Sequence, residues 1–344
     1  MKRWLVLFIL LLPAVMASAQ TGTLIVLNKS DNNASLIDLA TKTVIVTVPT
    51  GVAPHEVAVS PDGTLAVVSN YGAKEPGNSL TVIDIPARRK REDIDLGEYK
   101  RPHGIAWLKD GKHVVVTSEA SKALLVVDVE SGAVVHALET QSDVSHMVAL
   151  TPDSNRAFVA NIGSGTITAF DLKKQKWSQN LGTGAGSEGI AVSPDGKEVW
   201  VACRQADTVV VVNAEKLKVV ATLESKAFPI RVKFTPDGKY ALVSHARSGD
   251  VAVYDARSKK ELRRIQMDLN PVENANQRVL GTQFGASPAP IGILIPPDGQ
   301  RAYVANSNAD LVAVIDLKDW KIVDHIKTSK EPDGMGYSKI VLTK

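Results

Sequence analysis

The 344-residue chain carries 40 lysine and arginine residues against 37 aspartate and glutamate residues, which leaves a formal net charge of +3. This near-neutral balance gives no reason to expect nucleic-acid binding or attraction to an acidic membrane surface. The single cysteine, Cys203, excludes an intramolecular disulfide, so the hydrophobic core has to stabilise the fold by itself.

Residues 1–19 have the composition of a secretory signal. Lys2 and Arg3 precede an apolar run at 4–15, and Ala-Ser-Ala at 17–19 matches an A-x-A cleavage site. The apolar run is too short to serve as a lasting membrane span. We therefore predict a signal peptide at 1–19, a single domain at 20–344, no membrane span after cleavage, and a periplasmic or secreted location.

The rest of the sequence repeats one unit of short apolar strands. Within each unit, valine-rich runs are separated by clusters of Gly, Asp, Asn, Ser and Lys, which is typical of short antiparallel strands and hairpins. One turn aspartate marks each copy, at intervals of 42 to 48 residues and a last interval of 61 residues. These residues are Asp62, Asp110, Asp153, Asp195, Asp237 and Asp298.

The alignment of the copies also predicts how a ring closes. The domain opens on a strand of the second type at 23–28, and the missing innermost strand lies at 332–338, which aligns with 54–60. A C-terminal strand that completes the first blade leaves no free sheet edge between the first and last blades. The predicted fold is an all-β, seven-bladed β-propeller of four-stranded antiparallel blades, with the ring closed by the C-terminal strand joining the N-terminal blade. We expect this domain to be monomeric.

Several segments resemble a known family. Val-Ser-Asn-Tyr-Gly at 68–72, Val-Ala-Asn at 159–161 and 304–306, and Ala-Val-Ser-Pro-Asp-Gly at 58–63 and 191–196 are similar to the YVTN-repeat, YncE-like β-propellers. The resemblance covers all seven blades. It implies a secreted or periplasmic propeller, in a family whose members have diverse or unassigned roles.

The departures from the repeat predict a site at one mouth of the central channel. In each blade, the loop that leads into the innermost strand and the loop that leaves the second strand emerge on the same face. The second residue of the innermost strand is a histidine in three adjacent blades, with acidic residues on either side. We predict a ligand-binding mouth formed by Asp333, His55, His103, His146, Glu188, His245 and Arg231.

Three imidazoles on adjacent blades have the composition of a transition-metal site with one position left for water or substrate. We interpret His55, His103 and His146 as candidate ligands of zinc or copper, provided that their nitrogens approach one point at about 2.0–2.1 Å. Two alternatives remain open. In the first, the histidines simply hydrogen-bond to channel water or to the carboxylates. In the second, a histidine beside Glu188 or Asp333 titrates near neutral pH and performs acid–base chemistry without a metal.

The long interval before the last copy places an insertion between Met267 and Ala289. It joins the outermost strand of blade 6 to the innermost strand of blade 7, so it emerges on the face that carries the histidines. Long loops in compact folds are often lids or binding loops. The insertion therefore favours the histidine mouth as the binding face.

The leading hypothesis is a secreted or periplasmic propeller that binds a ligand at this mouth, with a transition metal held by the three histidines as one way of binding it. The first alternative is a lactonase-like hydrolase that uses the same site, because Ala-Pro-His at 53–55 and Asn-Tyr-Gly at 70–72 resemble propeller-type lactonases. The second is a non-catalytic platform that docks another envelope protein. The expected partner is a small molecule or an envelope protein, and the sequence leaves open whether the protein is an enzyme.

Overall fold

The computed structural model describes residues 20–343. Within this range the chain forms seven four-stranded antiparallel sheets and no α-helix. The innermost strands contact one another in a closed cycle, which confirms the predicted seven-bladed propeller. The predicted signal peptide lies outside the described residues, and no helix in 20–343 is both long enough and apolar enough to cross a membrane.

Blades 1 to 4 follow one pattern, in which the chain runs outward from the channel. Blade 1 contains β1 (Thr23–Asn28), β2 (Asn33–Asp38), β3 (Thr43–Pro49) and the C-terminal strand β28 (Pro332–Ser338). Blade 2 contains β4 (Pro54–Val59), β5 (Leu65–Gly72), β6 (Pro76–Asp84) and β7 (Arg89–Asp95). Blade 3 contains β8 (Pro102–Trp107), β9 (His113–Ser118), β10 (Ala123–Asp128) and β11 (Val134–Glu139). Blade 4 contains β12 (Ser145–Leu150), β13 (Arg156–Asn161), β14 (Thr166–Asp171) and β15 (Lys176–Gly182).

Blades 5 to 7 continue the pattern. Blade 5 contains β16 (Ser187–Val192), β17 (Glu198–Cys203), β18 (Thr208–Asn213) and β19 (Lys218–Glu224). Blade 6 contains β20 (Pro229–Phe234), β21 (Tyr240–His245), β22 (Asp250–Asp255) and β23 (Lys260–Gln266). Blade 7 contains β24 (Pro290–Leu294), β25 (Arg301–Asn306), β26 (Leu311–Asp316) and β27 (Lys321–Lys327). Two short 3₁₀ helices, Lys29–Asp31 and Ala275–Gln277, lie in loops.

The ring closes as the sequence predicts. Strand β28 pairs with β1 in antiparallel register, with Thr23 opposite Ser338 and Ile25 opposite Gly336. The Thr23 hydroxyl also donates a 2.7 Å hydrogen bond to the carbonyl of Ile340. The two ends of the domain therefore share one sheet, and no unpaired edge remains between the first and last blades.

The core lies between the blades. The two middle strands of each blade are buried on both faces because each face packs against a neighbouring blade, as in β17 and β18. Trp200, for example, is fully buried and meets Phe234 edge-on with ring centroids 5.5 Å apart. The outermost strands alternate between exposed and half-buried residues, as in β11. This arrangement leaves the innermost strands free to line the channel.

Candidate functional site

Each innermost strand begins with the same backbone distortion. The residue before the strand has a left-handed φ between 47° and 72° in all seven blades. A register shift follows within the first residues of the strand, so the second residue is not paired with the neighbouring strand. Such bulges re-aim side chains, and here they turn the second residue toward the channel mouth. The left-handed residues are Ala53, Arg101, Val144, Gly186, Phe228, Ala289 and Glu331.

The re-aimed side chains line one cavity of about 240 Å³, which we call the upper cavity. A second set of walls comes from residues at the ends of the second strands, either just after the strand or, for Tyr71, one residue before its end. The insertion supplies Leu280, Gln283 and Phe284. The re-aimed residues are His55, His103, His146, Glu188, Ile230, Ile291 and Asp333. The second set is Lys29, Tyr71, Glu119, Ile162 and Arg204.

The predicted contribution of the second strands needs a correction of one residue. The last residue of each such strand, for example Asn161 or His245, is fully buried inside its blade. In five of the seven blades the residue after this buried position lines the upper cavity, because side chains alternate along a strand and a shift of one residue reverses the face. His245 therefore does not line the upper cavity, although the sequence placed it there.

His245 instead belongs to a buried cluster inside blade 6. Its Nε2 lies 2.8 Å from the Ser225 hydroxyl, and its Nδ1 lies 2.9 Å from a carboxylate oxygen of Asp250 without being aligned for a hydrogen bond. The Tyr254 hydroxyl donates a further 3.0 Å hydrogen bond to Ser225. The residue types are those of a catalytic triad. However, Ser225 and His245 are fully buried, so the cluster ties strands together rather than facing a substrate.

His55 is a neutral hydrogen-bond acceptor at the wall of the upper cavity. Its Nδ1 lies 2.8 Å from the carbonyl oxygen of Ala53, and since a carbonyl only accepts, Nδ1 carries the proton. Burial, reinforced by the positive charge of Lys29, lowers the pKa of His55 to about 3. The lone pair of Nε2 is consequently free, and it has no hydrogen-bond partner among residues 20–343.

His146 is a cation stacked on a neutral His103. The ring centroids are 3.5 Å apart, and the two nitrogens of His146 lie 2.9 Å from Glu119 and 3.4 Å from Glu188. Burial alone would lower the pKa of His146, but the hydrogen bonds to Glu119 and Glu188 raise it above its ordinary value. Burial and the neighbouring His146 charge hold the pKa of His103 well below its ordinary value. The Nδ1 of His103 is buried and finds no hydrogen-bond partner within the part of the chain that the structure describes.

This geometry does not support the predicted zinc or copper site. The rings of His55 and His103 tilt against each other with centroids 5.0 Å apart, and the next pair stacks rather than converging on a common point. Both nitrogens of His146 face carboxylates and are therefore occupied by protons. Across residues 20–343, no group of three His, Cys, Asp or Glu side chains is arranged to hold a metal ion.

Arg231 lies at the floor of the upper cavity and joins two carboxylates. It donates at 3.0 Å to Glu188 and at 2.8 Å to Glu56. Burial would lower the pKa of Arg231, but the charges of Glu56 and Glu188 raise it. Burial would raise the pKa of Glu188, but the hydrogen bond from His146 and the charges of Arg204 and Arg231 hold it well below the ordinary range.

A second buried ion pair also lines the upper cavity. The Lys29 ammonium is 3.1 Å from Oδ2 of Asp333, and both side chains are 2% exposed. Burial opposes ionisation of Asp333, but the charges of Lys29 and Arg231 lower its pKa. The other carboxylate oxygen, Oδ1, is buried and has no hydrogen-bond partner in the described range 20–343. The ion pairs around the cavity balance in charge, with four cations and four anions. The cations are Lys29, Arg204, Arg231 and His146, and the anions are Asp333, Glu56, Glu188 and Glu119.

Sequence reasoning missed Lys29, Glu56, Tyr71 and Glu119. Lys29 and Glu119 directly follow a second strand, and Tyr71 takes the equivalent position near the end of the longer strand β5, so the corrected alignment would have revealed all three. Tyr71 donates a 2.8 Å hydrogen bond to Glu119, which orients that carboxylate toward His146. Glu56 and Arg231 are both the third residue of an innermost strand. Their equivalent positions were a signal that these two side chains could meet across the channel.

Comparison with known proteins supports the fold and gives one family match. Residues 110–276 match a family model described as Cytochrome D1 heme domain. No curated protein matches the sequence. Among solved structures, the chain is similar to hydrazine synthase from Kuenenia stuttgartiensis, with 21% identity, a TM-score of 0.71, and coverage of 86% of this chain and 92% of that chain. At this identity the similarity shows the fold alone, and these matches do not confirm the resemblance to YVTN-repeat, YncE-like propellers.

Proposed function

We propose that the protein binds a small molecule in the upper cavity and that this ligand donates hydrogen bonds to the cavity wall. One observation carries the proposal. Oδ1 of Asp333 and Nδ1 of His103 are buried without a partner among residues 20–343, and Nε2 of the half-buried His55 accepts no hydrogen bond from the same part of the chain, although all three residues line the same cavity. Buried polar atoms normally have partners, so two such atoms beside a free imidazole nitrogen in one cavity indicate a ligand.

The vacant atoms define the chemical class of the ligand. Nε2 of His55 and Oδ1 of Asp333 are acceptors, so they require a hydrogen-bond donor such as a hydroxyl or an amine. Ile230, Ile291 and Phe284 supply an apolar wall opposite these atoms. Because about 240 Å³ lies below the range of about 300–1,000 Å³ typical of drug-sized ligands, the ligand is compact. We therefore infer a small alcohol or amine with an apolar body.

The family match raises haem as a second ligand, and the dimensions of the upper cavity argue against it. A free His55 Nε2 is a suitable donor for iron. However, the cavity is small, and Leu280 and Phe284 cover it. The cations that would hold haem carboxylates, such as Arg231 and Lys29, are already paired with acidic residues. The residues in this geometry do not fit a haem, and we assign none.

A lactonase-like hydrolase is the weaker alternative. A general base acts best when its pKa is near the working pH. The pKa of His55 is about 3, so this imidazole is a weak base at neutral pH. His146 is protonated and held by two carboxylates, so it has no lone pair to accept a proton. The arrangement favours binding over proton transfer.

A periplasmic or secreted location remains part of the proposal. It rests on the predicted signal at 1–19 and on its Ala-Ser-Ala cleavage site. Fractionation of cells that produce the full chain, followed by N-terminal sequencing, tests it. We expect a processed protein that starts at Gln20 outside the cytoplasm, whereas an unprocessed cytoplasmic protein would contradict this location.

Ligand-observed NMR with a matched probe series tests the binding proposal. We expect butan-1-ol and butylamine to bind saturably and methyl butyl ether, which cannot donate, to bind about tenfold more weakly. His55→Leu removes one acceptor and should weaken the donors by about tenfold, while His325→Leu on the exposed outer strand should change nothing. Absence of saturable binding, or equal binding by His55→Leu, would overturn the proposal. A haem titration that gives a Soret shift dependent on His55 would replace it with haem binding.

A further inference from the structure

We propose that the protein has a second, independent binding site, for a carboxylate with an apolar tail, in the part of the channel on the other side of Arg231. We call this part the lower channel. It has a volume of about 410 Å³ and is lined by innermost strands of all seven blades. Arg231 lines both spaces, and Glu56, which lines the lower channel, accepts a hydrogen bond from it, so their ion pair separates the lower channel from the upper cavity.

One residue of the lower channel departs from the repeat. Lys233 is the fifth residue of its innermost strand, and the equivalent residues of the other six blades are small or aliphatic. A residue type that recurs in every blade serves the common fold. The other blades fold without a charge at this position, so Lys233 is not needed for the scaffold. The six equivalents are Ala58, Ala106, Ala149, Ala191, Leu294 and Gly336.

Lys233 is also the uncompensated charge of this space. Three titratable residues line the lower channel, and two of them, Glu56 and Arg231, are hydrogen-bonded to each other. Among residues 20–343, no carboxylate lies within salt-bridge distance of the Lys233 ammonium. Lys233 is exposed only to the channel, which the innermost strands enclose. Desolvation in this enclosed space lowers the pKa of Lys233, although the charge of Glu56 raises it. A bound anion would supply the missing counter-ion.

The walls around Lys233 indicate what the anion carries. The same space is lined by Val57, which is buried, and by Ile105, Met147 and Met335, which are half-buried. Inorganic anions gain nothing from such walls, whereas an alkyl chain removes apolar surface from water at about 25 cal/mol per Å². Methionine side chains adapt readily to chains of different shape. The lower channel therefore fits a linear carboxylate better than phosphate.

Isothermal titration calorimetry with octanoate tests this site. We expect saturable binding to the wild type and about tenfold weaker binding of octan-1-ol, which has the same tail without the charge. Lys233→Met should weaken octanoate by about tenfold, and Lys233→Arg should retain most of the affinity. Lys239→Met is the matched control, because Lys239 lies on the same blade but is exposed and paired with Asp237.

The outcomes separate this site from the upper cavity. His55→Leu should leave octanoate affinity unchanged, since the two spaces are independent. Unchanged octanoate affinity in Lys233→Met, or an equal loss in Lys239→Met, would overturn the proposal. Binding of phosphate without octanoate would overturn the proposed ligand class. If Lys233→Met does not fold, Lys233→Gln keeps the volume polar and serves as the second neutral variant.

Discussion

The upper cavity and the lower channel lie on either side of one ion pair, and they differ in whether their charged side chains are paired. In the upper cavity, each charged side chain is paired with one of opposite sign. The polar atoms without a partner among residues 20–343 belong to a neutral histidine or to a carboxylate that already has an ion-pair partner. In the lower channel, apolar side chains surround one ammonium that lacks a partner. The first space is therefore suited to a hydrogen-bond donor, and the second to an anion.

In this repeated fold, ligand specificity arises at particular positions of the innermost strands. The same seven strands line both spaces, and their second and fifth residues decide what each space contains. Bulges turn the second residues into the upper cavity, where hydrogen-bonded networks fix their orientation. The fifth residues remain small in most blades, so Lys233 alone gives the lower channel its charge. Single substitutions should thus affect one space without the other.

Arg231→Met is expected to have the largest effect because it removes the partition itself. Glu56 and Glu188 would remain buried after losing a partner, and breaking a buried pair typically destabilises a fold by about 3–5 kcal/mol. Urea denaturation should show this loss in the free energy of unfolding. Arg257→Met, which changes an exposed arginine of the same blade, should shift it by less than about 0.5 kcal/mol.

A second variant shows whether the loss comes from the stranded carboxylates. Adding Glu56→Gln to Arg231→Met removes one of the two unpaired charges, so part of the stability should return. If the double variant is as unstable as the single one, or if Arg231→Met is no less stable than the wild type, the ion pair does not hold the two spaces apart.

The fold could be predicted from the sequence almost completely, and the site only in part. The ring, its closure by β28 and the shared face of the histidines follow from the repeat alone. The state of each histidine does not, because it depends on neighbours from other blades. His146 becomes a cation through Glu119 and Glu188, which lie 27 and 42 positions away along the chain, and a one-residue error in the second strands hid Glu119.

Glu331→Gln should open the upper cavity and leave the lower channel intact. The buried Glu331 carboxylate accepts hydrogen bonds from the backbone N–H groups of Val279 and Leu280, at 3.2 and 2.6 Å, and from the Ser30 hydroxyl. An amide cannot accept on both of its atoms, and a lost hydrogen bond to a charged group is worth about 1.5–3 kcal/mol.

Hydrogen exchange checks this prediction locally. The amides of residues 279 and 280 should exchange at least about tenfold faster in Glu331→Gln. Octanoate affinity should stay at its wild-type value, because the insertion does not line the lower channel. Unchanged exchange would show that other contacts, such as the ion pair between Arg278 and Asp310, hold the insertion in place.

The smallest effect is a pH slope that belongs to His55. The pKa of His55 is about 3 in the folded protein against an ordinary value of 6.5, so between these values the unfolded chain binds a proton that the folded protein excludes. Stability should therefore rise with pH in this window, by about 1.4 kcal/mol per pH unit for one proton. His103, whose pKa is also lowered, adds a slope of the same sign. In urea denaturation between pH 4.5 and 6.5, His55→Leu should therefore reduce the slope by the share of one proton, and His325→Leu should leave it unchanged. Parallel curves for the wild type and His55→Leu would mean that His55 is protonated in the folded protein, and its Nε2 would then be a donor rather than the acceptor on which the upper cavity's ligand class depends.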